Sequence, residues 1–201
     1  MENPIQLVFQ DTPEKLRPLA EEAARFLTEV LRELAAAENH SFVQDTRLCR
    51  KGRIIEFKDG VREEITNREV WREREKLRFA ALLDPHCTQK WIDQRKDCVH
   101  ATHFPSAFHC LNTGCKLTVT MKSSQKATVW LNPGEGAPYD LSDPDFRYMA
   151  ERSPMGHGPQ LFYSYFEKFR FLLRREAESW KIDEAYVAAD CADRWQRDWY
   201  F

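Results

Sequence analysis

Residues 161–175 read Leu-Phe-Tyr-Ser-Tyr-Phe-Glu-Lys-Phe-Arg-Phe-Leu-Leu-Arg-Arg, and Tyr163, Tyr165, Phe169, Phe171 and Leu173 fall in one register. Successive strand side chains point to opposite faces, so apolar residues at two-residue spacing line one face of a sheet. Trp180 and Ile182 begin a further strand, and Trp195, Trp199 and Phe201 fall on one side of a last one. The stretch from Leu161 to Phe201 is therefore predicted as sheet, built of long aromatic-rich strands and carrying no catalytic motif.

The same period appears upstream. Leu117, Val119 and Met121 alternate with Thr118 and Thr120, then Ala127, Val129 and Leu131 repeat the pattern. Ser123-Ser124-Gln125 between them predicts a hairpin turn. Ahead of these strands the period is helical. Leu16, Leu19, Ala23, Phe26, Leu27, Val30, Leu31 and Leu34 recur at three and four residues, which predicts an amphipathic helix over 13–38. Pro13 suits a first helical position, and Pro18 implies a separate first turn or a kink. Arg53–Phe57 and Val61–Ile65 around Asp59-Gly60 predict a short hairpin. Thr66-Asn67-Arg68-Glu69 has the form of a capping box opening a second helix. Val70, Leu77 and Ala81 supply its apolar side, with Trp71 beside them, and Asp84-Pro85 ends it. Helices first and antiparallel strands afterwards predict an α+β domain.

Composition narrows the class. The 201 residues are 42 % hydrophobic and 12 % aromatic, ample for a large core in one domain. With 30 basic and 32 acidic residues the net charge is -2, which gives no general attraction to nucleic acid or to an anionic membrane. No run of about eighteen apolar residues occurs, so no membrane span is expected. The first residues carry no export signal, which implies a cytoplasmic location and reduced thiols for Cys49, Cys87, Cys98, Cys110, Cys115 and Cys191.

The order of elements, with three short pieces, resembles the nuclear-transport-factor-2-like (NTF2-like) fold. The pieces are Leu82-Leu83-Asp84-Pro85-His86-Cys87-Thr88-Gln89-Lys90, the run from Ser179 to Glu184, and Trp195-Gln196-Arg197-Asp198. Within that fold the chain most resembles immunity proteins of bacterial polymorphic toxin systems, including Rhs, contact-dependent and type VI secretion effectors. The resemblance implies a cone of N-terminal helices on a curved antiparallel sheet. It also implies a cytoplasmic protein that occludes a cognate toxin effector domain stoichiometrically, without chemistry of its own. The domain would span 1–201, with insertions at about 42–65 and 132–160. Its strand faces would permit a homodimer.

Candidate sites follow from local chemistry. Glu135, Tyr139, Asp140, Asp143, Asp145, Phe146 and Tyr148 combine acidic charge with aromatic rings in a Pro/Gly-rich loop, and suit a basic protein partner. Cys98, His100, His103, His109, Cys110 and Cys115 are residue types that zinc prefers, yet their spacing fits no finger or ribbon. The expectation is no cofactor, with a zinc-stabilised interaction module as one alternative. Another alternative is a small-molecule enzyme or binder using the interior of the cone. Asp183, Glu167 and Tyr186 are the strand residues that could act there as base or partner, and their alternation predicts outward positions. Cys87 or Cys110 beside a histidine in sequence makes no Cys–His pair, because adjacent side chains diverge. The arginines at 68, 72, 74 and 78 are read as a solvated helix face.

Overall fold

A computed structural model describes residues 5–94, 106–133, 142, 144–150, 167–189 and 194–198. Strand β1 (Gln6–Phe9) and a 3-10 turn (Glu14–Leu16) lead into helix α1 (Arg17–Lys51). A hairpin comes next, β2 (Ile54–Lys58) and β3 (Val61–Ile65), then α2 (Arg68–Leu83), a 3-10 turn (Asp84–His86) and α3 (Gln89–Gln94). After a 3-10 turn at Ala107–His109 come α4 (Cys110–Thr113), β4 (Cys115–Ser123), β5 (Lys126–Pro133), α5 (Pro144–Ala150), β6 (Glu167–Glu176), β7 (Ser179–Ala189) and β8 (Gln196–Arg197). The fold is α+β.

Strands order as β1-β4-β5-β6-β7-β8 in one open, curved sheet. All neighbours are antiparallel except β1 on β4, where the chain from α1 to α4 provides the crossover that a parallel pair needs. The alternations read from sequence place the core as expected. Leu117, Val119, Met121, Ala127, Val129, Leu131, Phe169, Phe171, Leu173 and Ile182 are all buried on the inner face. Opposite them α1 presents Ala20, Ala23, Ala24, Leu27, Leu31, Leu34 and Ala35, whose small residues let the helix approach the sheet closely. Trp91, Phe108, Phe171 and Trp180 fill the remaining space. A bulge between Leu172 and Leu173 leaves Asp183 of β7 without a cross-strand partner.

Three expectations are corrected. Helix α1 runs 35 residues to Lys51, well past residue 38, and closes on Gly52 in the left-handed region (φ 68°). Asn39, His40 and Ser41 are poor helix formers, but tertiary contacts hold the extension. Asn39 accepts from the Ser106 backbone N–H (2.7 Å), Asp45 accepts both arms of Arg68, and Leu48 packs on Ile54, Ile65 and Trp71. The stretch 42–65, an insertion by the resemblance, holds the end of this helix and the β2–β3 hairpin. Helix α2 is capped by Asn67, which accepts from the Glu69 and Val70 backbone N–H groups, and not by Thr66. The buried side of α2 is Trp71, Glu75, Phe79 and Leu83, whereas Val70 and Leu77 face solvent. Two stripes share helical spacing, and the larger rings take the inside. Glu75 hides that stripe from a hydrophobicity reading, yet it is tolerated because Arg78 donates to it at 2.6 Å.

Candidate functional site

The loop candidates divide. Glu135, Tyr139, Asp140 and Asp143 lie outside the described residues. Asp145, Phe146 and Tyr148 are on α5, which packs against the C-terminal half of α1. Phe146 and Tyr148 are buried with Val43, and the Arg47 guanidinium sits 4.4 Å over the Tyr148 ring. Asp145 faces His40 Nδ1 at 3.5 Å and Arg47 Nη2 at 3.8 Å. Two aromatic side chains in this seven-residue helix secure it to its neighbour. These side chains are engaged within the chain.

Of the His/Cys group, Cys98, His100 and His103 lie outside the described residues. His109 packs its ring against Phe146, with centroids 4.7 Å apart. Cys110 and Cys115 are buried and hydrogen-bonded to each other. The hydrogen bond to Cys115 and burial raise the Cys110 thiol. The Cys115 thiol is lowered, first by the hydrogen bond from Cys110 and also by the nearby Arg32 charge. Among the described residues, no three His, Cys, Asp or Glu side chains converge as metal ligands would. Cys87 is a buried thiol whose backbone bridges to Ile182 at the edge of β7.

The strand candidates sit at the outer face and edge of the sheet, as their alternation predicted for Asp183 and Tyr186; the Glu167 side chain lies outside the described residues. Thr88 Oγ1 donates to Asp183 (2.9 Å), and the bulge brings that carboxylate to the edge. Glu184 accepts from Lys90 (2.8 Å), from Arg197 (3.1 Å) and from the Tyr186 hydroxyl. Burial pushes the Glu184 carboxyl up, but these hydrogen bonds and charges outweigh it and hold the group below its ordinary value. The hydrogen bond to Glu184 raises Tyr186 in turn. Arg170 lies between the Tyr186 ring (4.3 Å) and the Trp195 ring (4.9 Å). Lys90 ties α3, and Arg197 ties β8, to Glu184 on β7. The chemistry is that of a fastening.

Two features went unread in the sequence. Glu38 of α1 accepts from the Ser106 hydroxyl beside the Asn39 contact, and burial pushes its carboxyl up to about 7, with the Asp198 charge adding to the rise. Nothing in the sequence pairs residues so far apart. An open cleft of about 390 Å³ lies between α1 and the start of β7, lined by Glu22, Arg25, Phe26, Glu29, His86 and Trp180 among others. Burial lowers the pKa of His86 there, and its ring meets Phe26 at 5.9 Å.

The remaining feature is a surface. Among the described residues, the large hydrophobics that stand exposed are Ile55, Phe57, Val61, Val70 and Leu77, all on the β2–β3 hairpin and α2. Phe57 is 75 % exposed, Leu77 72 % and Val61 67 %. Ile55 and Phe57 lie on the outer face of the hairpin, while Ile54 and Ile65 pack inward on Trp71 and Leu48. The scaffold beneath is held by forked ion pairs, Arg68 on Asp45 (2.7 and 2.6 Å) and Arg74 on Glu63 (2.7 and 2.6 Å). Arg68 and Arg74, two of the arginines read from the sequence as a solvated face, are partly exposed and also hold this arm in place. Scattered single apolar residues need no explanation, but their confinement to one arm sets this surface apart among the described residues.

The fold and this surface define an α+β domain that carries an arm of exposed apolar side chains. The chain matches no protein-family model, no curated protein and no solved structure.

Proposed function

We propose that this chain is an immunity protein of NTF2-like form, which neutralises a cognate toxin effector domain by stoichiometric binding. The observation that carries the reading is the confinement of exposed large apolar side chains to the β2–β3 hairpin and α2. Phe57 and Ile55, on a hairpin braced by ion pairs, supply preformed apolar anchors at little ordering cost. A contact of ordinary size covers roughly 800 Å² on each partner, more than these side chains alone provide, so flanking polar residues would form its rim. The large side chains packed between α1 and the sheet favour binding over chemistry in the interior.

The test is whether a neighbouring gene encodes a toxin domain, followed by co-expression of that domain with this chain. Protection of the cell and co-purification in a fixed ratio are expected. Phe57→Ser together with Ile55→Ser should abolish both while leaving the thermal transition unchanged. A toxin that kills equally well with and without this chain refutes the immunity reading.

A further inference from the structure

We infer that a second copy of this chain docks antiparallel on the free edge of β3, joining the two hairpins into one continuous sheet. The two-stranded sheet ends at β3, so that edge is unpaired among the described residues. Which backbone groups it offers is set by the turn. Asp59 and Gly60 both have positive φ (52° and 79°), the signature of a two-residue type I′ turn. Such a turn makes Lys58 and Val61 a hydrogen-bonded pair. The bonded positions then alternate, so Val61, Glu63 and Ile65 spend their backbone groups on β2. Arg62 and Glu64 point theirs outward, to the open edge.

The edge is self-complementary. β3 reads Val61-Arg62-Glu63-Glu64-Ile65, and a two-fold axis through Glu63 sets Arg62 opposite Glu64 of the second copy, and Val61 opposite its Ile65. In that register Arg62 and Glu64 exchange backbone hydrogen bonds across the axis, since they are the residues with free groups. Their side chains form opposite-charge cross-strand pairs on the outer face. Glu63 meets its own copy, but each carboxylate is already forked to Arg74, which offsets the repulsion. An isologous contact of this kind closes on itself and leaves no further edge of the same type.

The flank of α2 supports the same occupant. Ile65 packs on Trp71 and Glu63 forks with Arg74, so β3 and α2 run antiparallel past each other. Val70 and Leu77 stand four residues before and three after Arg74, on the helix ridge beside that fork. Exposed Val61 continues the line toward the hairpin tip. A strand added at the β3 edge would cover this ridge and place two Ile55–Phe57 faces side by side. The open edge and the exposed ridge then share one explanation, which stands whether or not the partner is a toxin.

Sedimentation of the full chain over a concentration series tests the register itself. A reversible dimer is expected. Arg62→Glu alone, or Glu64→Arg alone, sets like charges opposite each other and should weaken association roughly tenfold or more. The combined variant Arg62→Glu/Glu64→Arg should dimerise again, because the swap preserves the pairing. Mixing the two single variants should yield a heterodimer, since each supplies what the other lacks. Both residues are exposed, so the thermal transition should move little and separates this effect from unfolding. A chain that stays monomeric at hundreds of micromolar, or a dimer indifferent to either single variant, overturns the inference. Single variants that fail to associate on mixing overturn it as well. Loss of the dimer with toxin binding intact would leave the proposed function standing, and the converse result would leave the dimer.

Discussion

Replacing Glu38 with glutamine removes one titration from the folded chain, and its effect has a definite sign. The Glu38 carboxyl is raised from 4.5 to about 7, chiefly by burial beside Ser106. Below 4.5 both the folded and unfolded forms hold the proton, and the group contributes nothing to the pH dependence. Between 4.5 and 7 the unfolded chain releases the proton while the folded chain keeps it, so stability falls as pH rises through this window. Above 7 the loss is complete. The whole shift corresponds to ~3 kcal/mol at 1.36 kcal/mol per unit, and partial exposure of the side chain reduces this to ~1–2 kcal/mol. Urea denaturation followed by tryptophan fluorescence at steps from pH 5 to pH 8 would read it. Glu38→Gln should match the native chain near pH 5 and exceed it by ~1–2 kcal/mol at pH 8, or roughly 2–8 °C in melting temperature. Because both chains share every other titrating group, the difference between their curves isolates this one. Parallel curves, or an advantage for the variant at pH 5 that vanishes at pH 8, would refute the reasoning. Asp198→Asn should lessen the effect, because the Asp198 charge adds to the rise.

Phe171 is wholly buried between the sheet and α1, and Phe171→Ala should cost ~3–5 kcal/mol of stability, measured in the same urea titration. Asn67→Ala removes the cap that accepts two backbone N–H groups at the start of α2, and a loss of ~1 kcal/mol is expected. Leu77→Lys should leave the melting temperature within roughly 1–2 °C of the native value, since Leu77 stands in solvent in the isolated chain. Brief alkylation of the native protein, mapped by mass spectrometry, should label exposed Cys49 well before buried Cys87, Cys110 and Cys115. Equal labelling of all four would contradict the packing described.

The strands were legible because period two is a local signal. The inward residues of β4 from Leu117 to Met121, of β5 from Ala127 to Leu131 and of β6 from Phe169 to Leu173 could be named from alternation alone. The β2–β3 hairpin was equally readable, since Asp59-Gly60 supplies the positive φ that a tight turn requires. What local pattern could not settle was which of two equivalent choices the rest of the chain would make. Helix α2 carries two stripes at helical spacing, and only Leu48, Ile54 and Ile65 arriving from elsewhere decide that Trp71 goes inward and Val70 outward. The length of α1 is a second case. Its last turns hold poor helix formers, and they are helical because Arg68, Ser106 and α5 reach them across the fold. The candidate surface has the same cause. Leu77 reads as core in sequence and is surface in structure, so the arm was invisible until the buried side of α2 was known. Sequence alone determined the class of elements and the inner face of the sheet, because propensity and period act within a few residues. Tertiary structure alone decided which apolar residues were left uncovered, because exposure is a property of what packs against a residue and not of the residue itself.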